Sequence, residues 1–73
     1  MKGKYIKTAD GEIVLFPQII QHKDFKHLNP ISAGFFYINR DFEVICHGES
    51  VSLDLKSDEE DTKIAYRQFN NFF

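Results

Sequence analysis

A single cysteine, Cys46, excludes an internal disulfide, and a lone thiol fits a reducing compartment. There is no surplus of base: 9 Lys and Arg against 11 Asp and Glu leave a formal net charge of -2, without the basic stripe of a general nucleic-acid-binding protein. No apolar run approaches the roughly 20 residues of a membrane-spanning helix, and Met1-Lys2-Gly3-Lys4 does not lead into a signal-peptide core. These absences lead to the expectation of a soluble cytoplasmic protein with no membrane partner.

Catalytic and metal signatures are missing as well. The chain has no nucleophile elbow and no Gly-rich phosphate loop. Ser50, Ser52, His22, His47 and Glu49 carry the groups of a nucleophile and its base, but at spacings that nearly any chain of this size offers. His22 and His27 are five residues apart and would point about 140° from one another on a helix. Cys46 and His47 are adjacent and would point to opposite faces of a strand, so no tetrahedral ligand set emerges. The expectation is a protein that is not an enzyme, with no catalytic residue, no metal ligand and no cofactor.

What the chain does have is aromatic mass. At 73 residues, a single domain spanning 1–73 has only a thin core, and 8 Phe and 3 Tyr compensate for it. Residues 4–8 and 12–16 flank Ala9-Asp10-Gly11, a hairpin signal, and Pro17 stops the second strand. Residues 18–29 mix apolar and charged positions and fit a short helical turn or ordered loop, closed by Asn29-Pro30. Residues 32–38 are the most strand-like run, turning at Asn39-Arg40-Asp41 into a partner over 42–47 to form the expected central hairpin; Gly34 marks a close approach or a bulge. Lys2, Lys4 and Lys7 read as a solvated strand edge. Ser57 with Glu60 forms a capping-box pattern, and four acids over 58–61 suit a helix N-terminus. A helix over 58–70 would lay Ile64, Ala65, Gln68, Phe69 and Phe72 on a sheet. The predicted fold is α+β: a small antiparallel sheet of four to five strands covered by a C-terminal helix.

The run Gly48-Glu49-Ser50-Val51-Ser52-Leu53-Asp54-Leu55-Lys56-Ser57 is where function is expected. As a fifth strand or a bent continuation of the fourth past Gly48, it would bury Val51, Leu53 and Leu55 and present Ser50, Ser52, Asp54 and Lys56 on the other face. Glu49 reads equally as a hydrogen-bonded turn residue or a ligand contact. The candidate ligand-binding set is His47, Glu49, Ser50, Ser52, Lys56, Ser57 and Arg67: hydroxyls and amides to bind polar groups, with Lys56, His47 and Arg67 to neutralise phosphate. The acids after Ser57 repel an anion from the helix end, which places such a site on the strand face or between subunits.

Tyr5-Ile6-Lys7-Thr8 followed by Gly11, Phe16-Pro17 with Ile20 and His22 downstream, Ser32-Ala33-Gly34-Phe35, and above all residues 48–57 with Glu60-Asp61 resemble a group of short phage, prophage and bacterial proteins. The group's signature looks like a Gly-Glu-Ser run leading through alternating Ser and Leu to a helix-opening Ser. Asp54 stands where that pattern has Gly, and Asp58-Glu59 where it has Arg-Pro. The group carries no established activity to these positions. The resemblance implies an accessory protein of a mobile element in the host cytoplasm, acting by stoichiometric binding. Its partner would be a small polar ligand such as a nucleotide-derived immune signal, with inhibition of a host protein or a structural or regulatory role as alternatives.

Phe69, Phe72 and Phe73 add more apolar area at one end than a thin sheet readily covers, so a homo-oligomer is expected. Deleting Phe72 and Phe73 should lower the oligomeric state or the solubility. Light scattering that finds the intact protein monomeric at high concentration would remove the premise.

Overall fold

Two tight turns fold the first half of the chain into antiparallel strands. In the computed structural model, which describes residues 1–69, β1 (Lys2–Thr8) and β2 (Ile13–Phe16) flank the Ala9-Asp10-Gly11 loop. The Thr8 amide donates to the Glu12 carbonyl at 2.8 Å, and Gly11 takes φ 86°, the left-handed geometry that a three-residue hairpin loop needs at its last position. A 3-10 helix (His22–Leu28) ends where Asn29 turns left-handed at φ 53°, and β3 (Pro30–Ile38) follows. The Asn39 side-chain oxygen then accepts from the amides of Asp41 and Glu43 at 2.9 and 3.0 Å, shaping the return into β4 (Val44–His47). Phe42 and Glu43 therefore belong to the loop and not to the strand expected over 42–47, with Phe42 at φ 62°.

The sheet order is β2-β1-β3-β4, antiparallel throughout. β1 and β3 are thus the central strands and β4 an edge, so the hairpin over 32–47 is not central, and the lysines of β1 do not form the solvated edge that their spacing suggests: Lys7 is only 5% exposed. One face carries Tyr5, Ile13, Phe36 and Val44 against α1 (Asp61–Phe69), whose Ala65, Ile64 and Phe69 pack into this core. The opposite face carries Ile6, Phe16 and Ala33, covered by Phe25 and Leu28 of the 3-10 helix and by Leu53 and Leu55. The fold is α+β, with a second, two-stranded sheet beside the main one.

That second sheet replaces the expected fifth strand. Gly48, at φ 80°, turns the chain out of β4, and residues 49–56 fold back as β5 (Glu49–Ser50) and β6 (Leu55–Lys56) around a turn in which the Asp54 amide donates to the Val51 carbonyl at 3.2 Å. Alternation fails across that turn. Val51, expected inside, is 87% exposed, and Ser50, expected outside, is 2% exposed and accepts from the Leu53 amide at 3.3 Å. Leu53 and Leu55 do face the core. Gly34 is a close approach, since a Cβ there would strike the His47 carbonyl oxygen. The irregularity in pairing lies elsewhere: Lys7 pairs with Ser32 and Thr8 with Pro30, which leaves Ile31 as the extra residue.

The helix begins three residues later than its acids suggest, and its box is displaced by one position. The Glu60 amide donates to Asp58 Oδ1 at 3.1 Å while the Asp58 amide donates to Asp61 Oδ2 at 3.0 Å, so Asp58 and Asp61 play the parts expected of Ser57 and Glu60. The reason is tertiary: Asp61 is 0% exposed and is drawn under the sheet by Lys7. The docking expected of Phe72 and Phe73 lies outside the described residues.

Asp61→Asn keeps the side-chain shape but removes the close counter-ion of the buried Lys7, leaving it only the half-exposed Asp58 carboxylate at 4.0 Å. The expected loss is about 3–5 kcal/mol, a large share of the roughly 4–11 kcal/mol available to a chain of 73 residues. Asp58→Ala should cost about 0.5–2 kcal/mol, the usual range for a lost cap. Urea unfolding measures both, and equal losses for the two variants would refute this ranking.

Candidate functional site

The strongest polar constellation in the protein is internal. Asp61 Oδ2 accepts from Tyr5 Oη at 2.5 Å and from Ser32 Oγ at 2.7 Å, and Oδ1 meets Lys7 Nζ at 2.7 Å. Burial disfavours the charged carboxylate, but Lys7, Tyr5, the Asp58 amide and Ser32 outweigh it and hold Asp61 below its ordinary value of 3.8. Burial, reinforced by the Asp61 charge, pushes the Tyr5 hydroxyl up, which keeps it a donor. Cys46 is pushed up to about 12, first by burial and then by Asp61, so its thiol is protonated near neutrality and a poor nucleophile. Tyr5, Lys7, Ser32 and Asp61 are all closed to solvent, so this cluster supports the fold without meeting a ligand. Among the described residues no group of three His, Cys, Asp or Glu side chains gathers to hold a metal, and no helix is long and apolar enough to cross a membrane.

The seven residues expected to bind a ligand are spread over separate surfaces. Lys56 and Ser57 border an open cleft with Asp54, Asp58 and Glu59, whose carboxylates would repel an anion. Glu49 lies across from Lys56 in the small hairpin, Ser50 is turned inward, and Ser52 Oγ lies 3.4 Å from Ser50 Oγ. Arg67 sits on α1 beside Lys63, Tyr66 and Glu43. His47 alone reaches the surface where ring and cation chemistry meet.

That surface is the uncovered part of the second sheet face. Strand pairing sets two rows across it: Lys2 opposite Tyr37 opposite Ile45, and Lys4 opposite Phe35 opposite His47. The 3-10 helix and the small hairpin cover the neighbouring row of Ile6 and Ala33 but leave these rows open toward β4. Lys2, Gln18, Phe35, Tyr37 and His47 border a cleft of about 540 Å³ there, within the usual range for small-molecule sites. The Tyr37 and His47 rings lie 5.6 Å apart and inclined by 54°, and Tyr37 is 43% exposed.

A chain of ring contacts supports the cleft from below. Phe25 packs on Phe16 at 4.4 Å; His22 stands edge-on to Phe16 at 5.5 Å and to Phe35 at 5.6 Å; Phe35 lies 6.3 Å from His47. His22 Nε2 meets the Gly34 carbonyl oxygen at 2.7 Å, which fixes that nitrogen as the donor. Burial lowers the His22 pKa from its ordinary value of 6.5; the Gly34 bond opposes this and the Lys4 charge adds to it. Sequence reasoning did not select Lys2, Gln18, Phe35 or Tyr37. Alternation of Ala33, Phe35 and Tyr37 along one strand does put them on one face. The pairing register that sets Lys2 and His47 beside them is long-range.

Comparison with protein-family models, curated proteins and solved structures finds no match.

Stability should fall in two steps on acidification. His22 binds its proton more readily in the unfolded chain, so stability is full above pH 6.5 and declines as pH drops toward the folded-state value. Asp61 is depressed, so its contribution is present above pH 3.8 and disappears as pH falls through its folded value. Thermal melting of His22→Phe should lose the upper step while retaining the lower one. An unaltered upper step would show that another group causes it.

Proposed function

We propose that this protein is a non-enzymatic accessory protein of a phage or other mobile element that binds and sequesters a small polar ligand. A nucleotide-derived immune signal is the specific form of this reading, which makes the protein an anti-defence factor. The observation that carries it is the open sheet face, where Phe35, Tyr37 and His47 offer ring surface beside the exposed ammonium of Lys2 in a cleft of small-molecule size. This moves the proposed site from residues 48–57 to the end of β4, keeping His47. The resemblance of residues 48–57 to short phage and prophage proteins supports the context and says nothing of the chemistry.

Inhibition of a host protein is the second reading. Ile19 and Val51 are exposed apolar groups that suit a protein partner. Edge-strand docking is disfavoured, because α1 side chains already occupy backbone groups on both outer strands. Gln68 bonds the amide and carbonyl of Ile13 at 2.8 and 2.7 Å, and the Cys46 amide donates to Thr62 Oγ1 at 2.9 Å. A homo-oligomer remains part of the proposal and rests on Phe72 and Phe73, which lie outside the described residues, since Phe69 packs against the protein's own core.

Thermal melting with a panel of nucleotides and a fractionated host metabolite extract tests sequestration. A ligand at a hundred times its Kd stabilises by about 2.7 kcal/mol, a rise of roughly 10–20 °C for a domain of this size. The ligand should be recovered chemically unchanged. Turnover of the ligand, or no stabilisation alongside one stoichiometric host protein in a pull-down, would refute the reading.

A further inference from the structure

The geometry points to a nucleoside monophosphate as the occupant of the sheet-face cleft, with its base against Tyr37 and His47 and its phosphate against Lys2; this rests on the small-ligand reading above. Lys2 is the direct cross-strand neighbour of Tyr37, and His47 pairs with Phe35 in the adjoining row, so cation and rings lie within one or two strand spacings of about 4.8 Å. Tyr37 and His47 are inclined by 54° and do not stack on each other, which leaves ring face available to a base. Gln18, on the cleft's rim, carries both a donor and an acceptor for a base edge or a sugar hydroxyl.

Charge selects an anion, and a small one. Among the described residues no carboxylate borders this cleft, in contrast to the cleft at residues 54–59. Lys2 is exposed, whereas Lys4, the next cation on this face, donates its ammonium to the Ile20 carbonyl at 3.1 Å. Lys2 supplies the one open side-chain ammonium among the described residues bordering the cleft, which matches one phosphate. A single-stranded nucleic acid would need a row of cations tracking its backbone, and a chain of net charge -2 presents no such row here.

Isothermal titration calorimetry of the full chain with adenosine 5′-monophosphate, adenosine and inorganic phosphate tests the assignment, with Lys2→Ala and Tyr37→Leu as variants whose folding is checked by melting. The monophosphate should bind about tenfold more tightly than adenosine, a difference of about 1.4 kcal/mol. Lys2→Ala should abolish that preference without changing adenosine binding, and Tyr37→Leu should weaken both. Equal binding of adenosine and its monophosphate, or a preference that survives Lys2→Ala, would overturn the assignment. Affinity for an oligonucleotide that rises with its length would overturn the one-phosphate site. If no nucleotide binds while another small polar metabolite does, this inference fails and the sequestration reading stands. If no small molecule stabilises the protein, both fail.

Discussion

The buried contact between Lys7 and Asp61 is the constraint on which the rest of the architecture depends. It joins the central strand to the first residue of the helix, across more than fifty residues of chain, with Tyr5 and Ser32 supplying further hydrogen bonds from β1 and β3. A buried ion pair is weak evidence of net stability, because desolvating both charges offsets much of their attraction. Its effect here is on register. Sliding the helix by one residue would take Asp61 away from three donors on two strands and strand the Lys7 ammonium in a dry site. The same demand sets where α1 starts and displaces its box from Ser57 and Glu60 to Asp58 and Asp61.

Once anchored at that end, α1 lies across the sheet and reaches one backbone position on each of its outer strands. Thr62 meets β4 at Cys46, and Gln68, nearly two turns on, meets β2 at Ile13 with both ends of its amide. Each side chain satisfies backbone groups that would otherwise form a template for another strand. The helix thus covers the core with Ile64, Ala65 and Phe69 while its polar residues protect the edges. This leaves the opposite sheet face, only partly covered, as the surface on which ligand chemistry is open. There the ring chain from Phe25 to Tyr37 links the second core to the surface, with the buried His22 at its centre.

Local sequence signals located the two hairpins, the four main strands along the chain and the helix face, but not the sheet order, in which β1 is central and β4 lies at an edge. The Asp10-Gly11 turn, Pro17 and the apolar run of β3 each act over a few residues, and Ile64, Ala65 and Phe69 repeat at helical spacing. The candidate site was much less legible. Residues 48–57 alternate like a strand, yet Gly48 and the turn before Asp54 divide them, so that Leu53 and Leu55 pack inward as expected while Val51 is exposed and Ser50 is buried. Of the seven residues expected at the site, only His47 reaches the ring and cation surface, because the other six lie on elements whose orientation depends on packing.

The sequence by itself determined the elements that depend on local physics: turns that need a positive φ, strands of branched and aromatic residues, and a helix opened by acids. Tertiary structure decided what each charge and ring means. Lys7 and Asp61 look like solvated charges in a local reading and become the buried link between sheet and helix, because only the assembled fold brings their opposite charges to 2.7 Å. Lys2, Tyr37 and His47 look unrelated along the chain and become neighbours through antiparallel register, which is fixed by hydrogen bonds between strands and by the burial of both sheet faces.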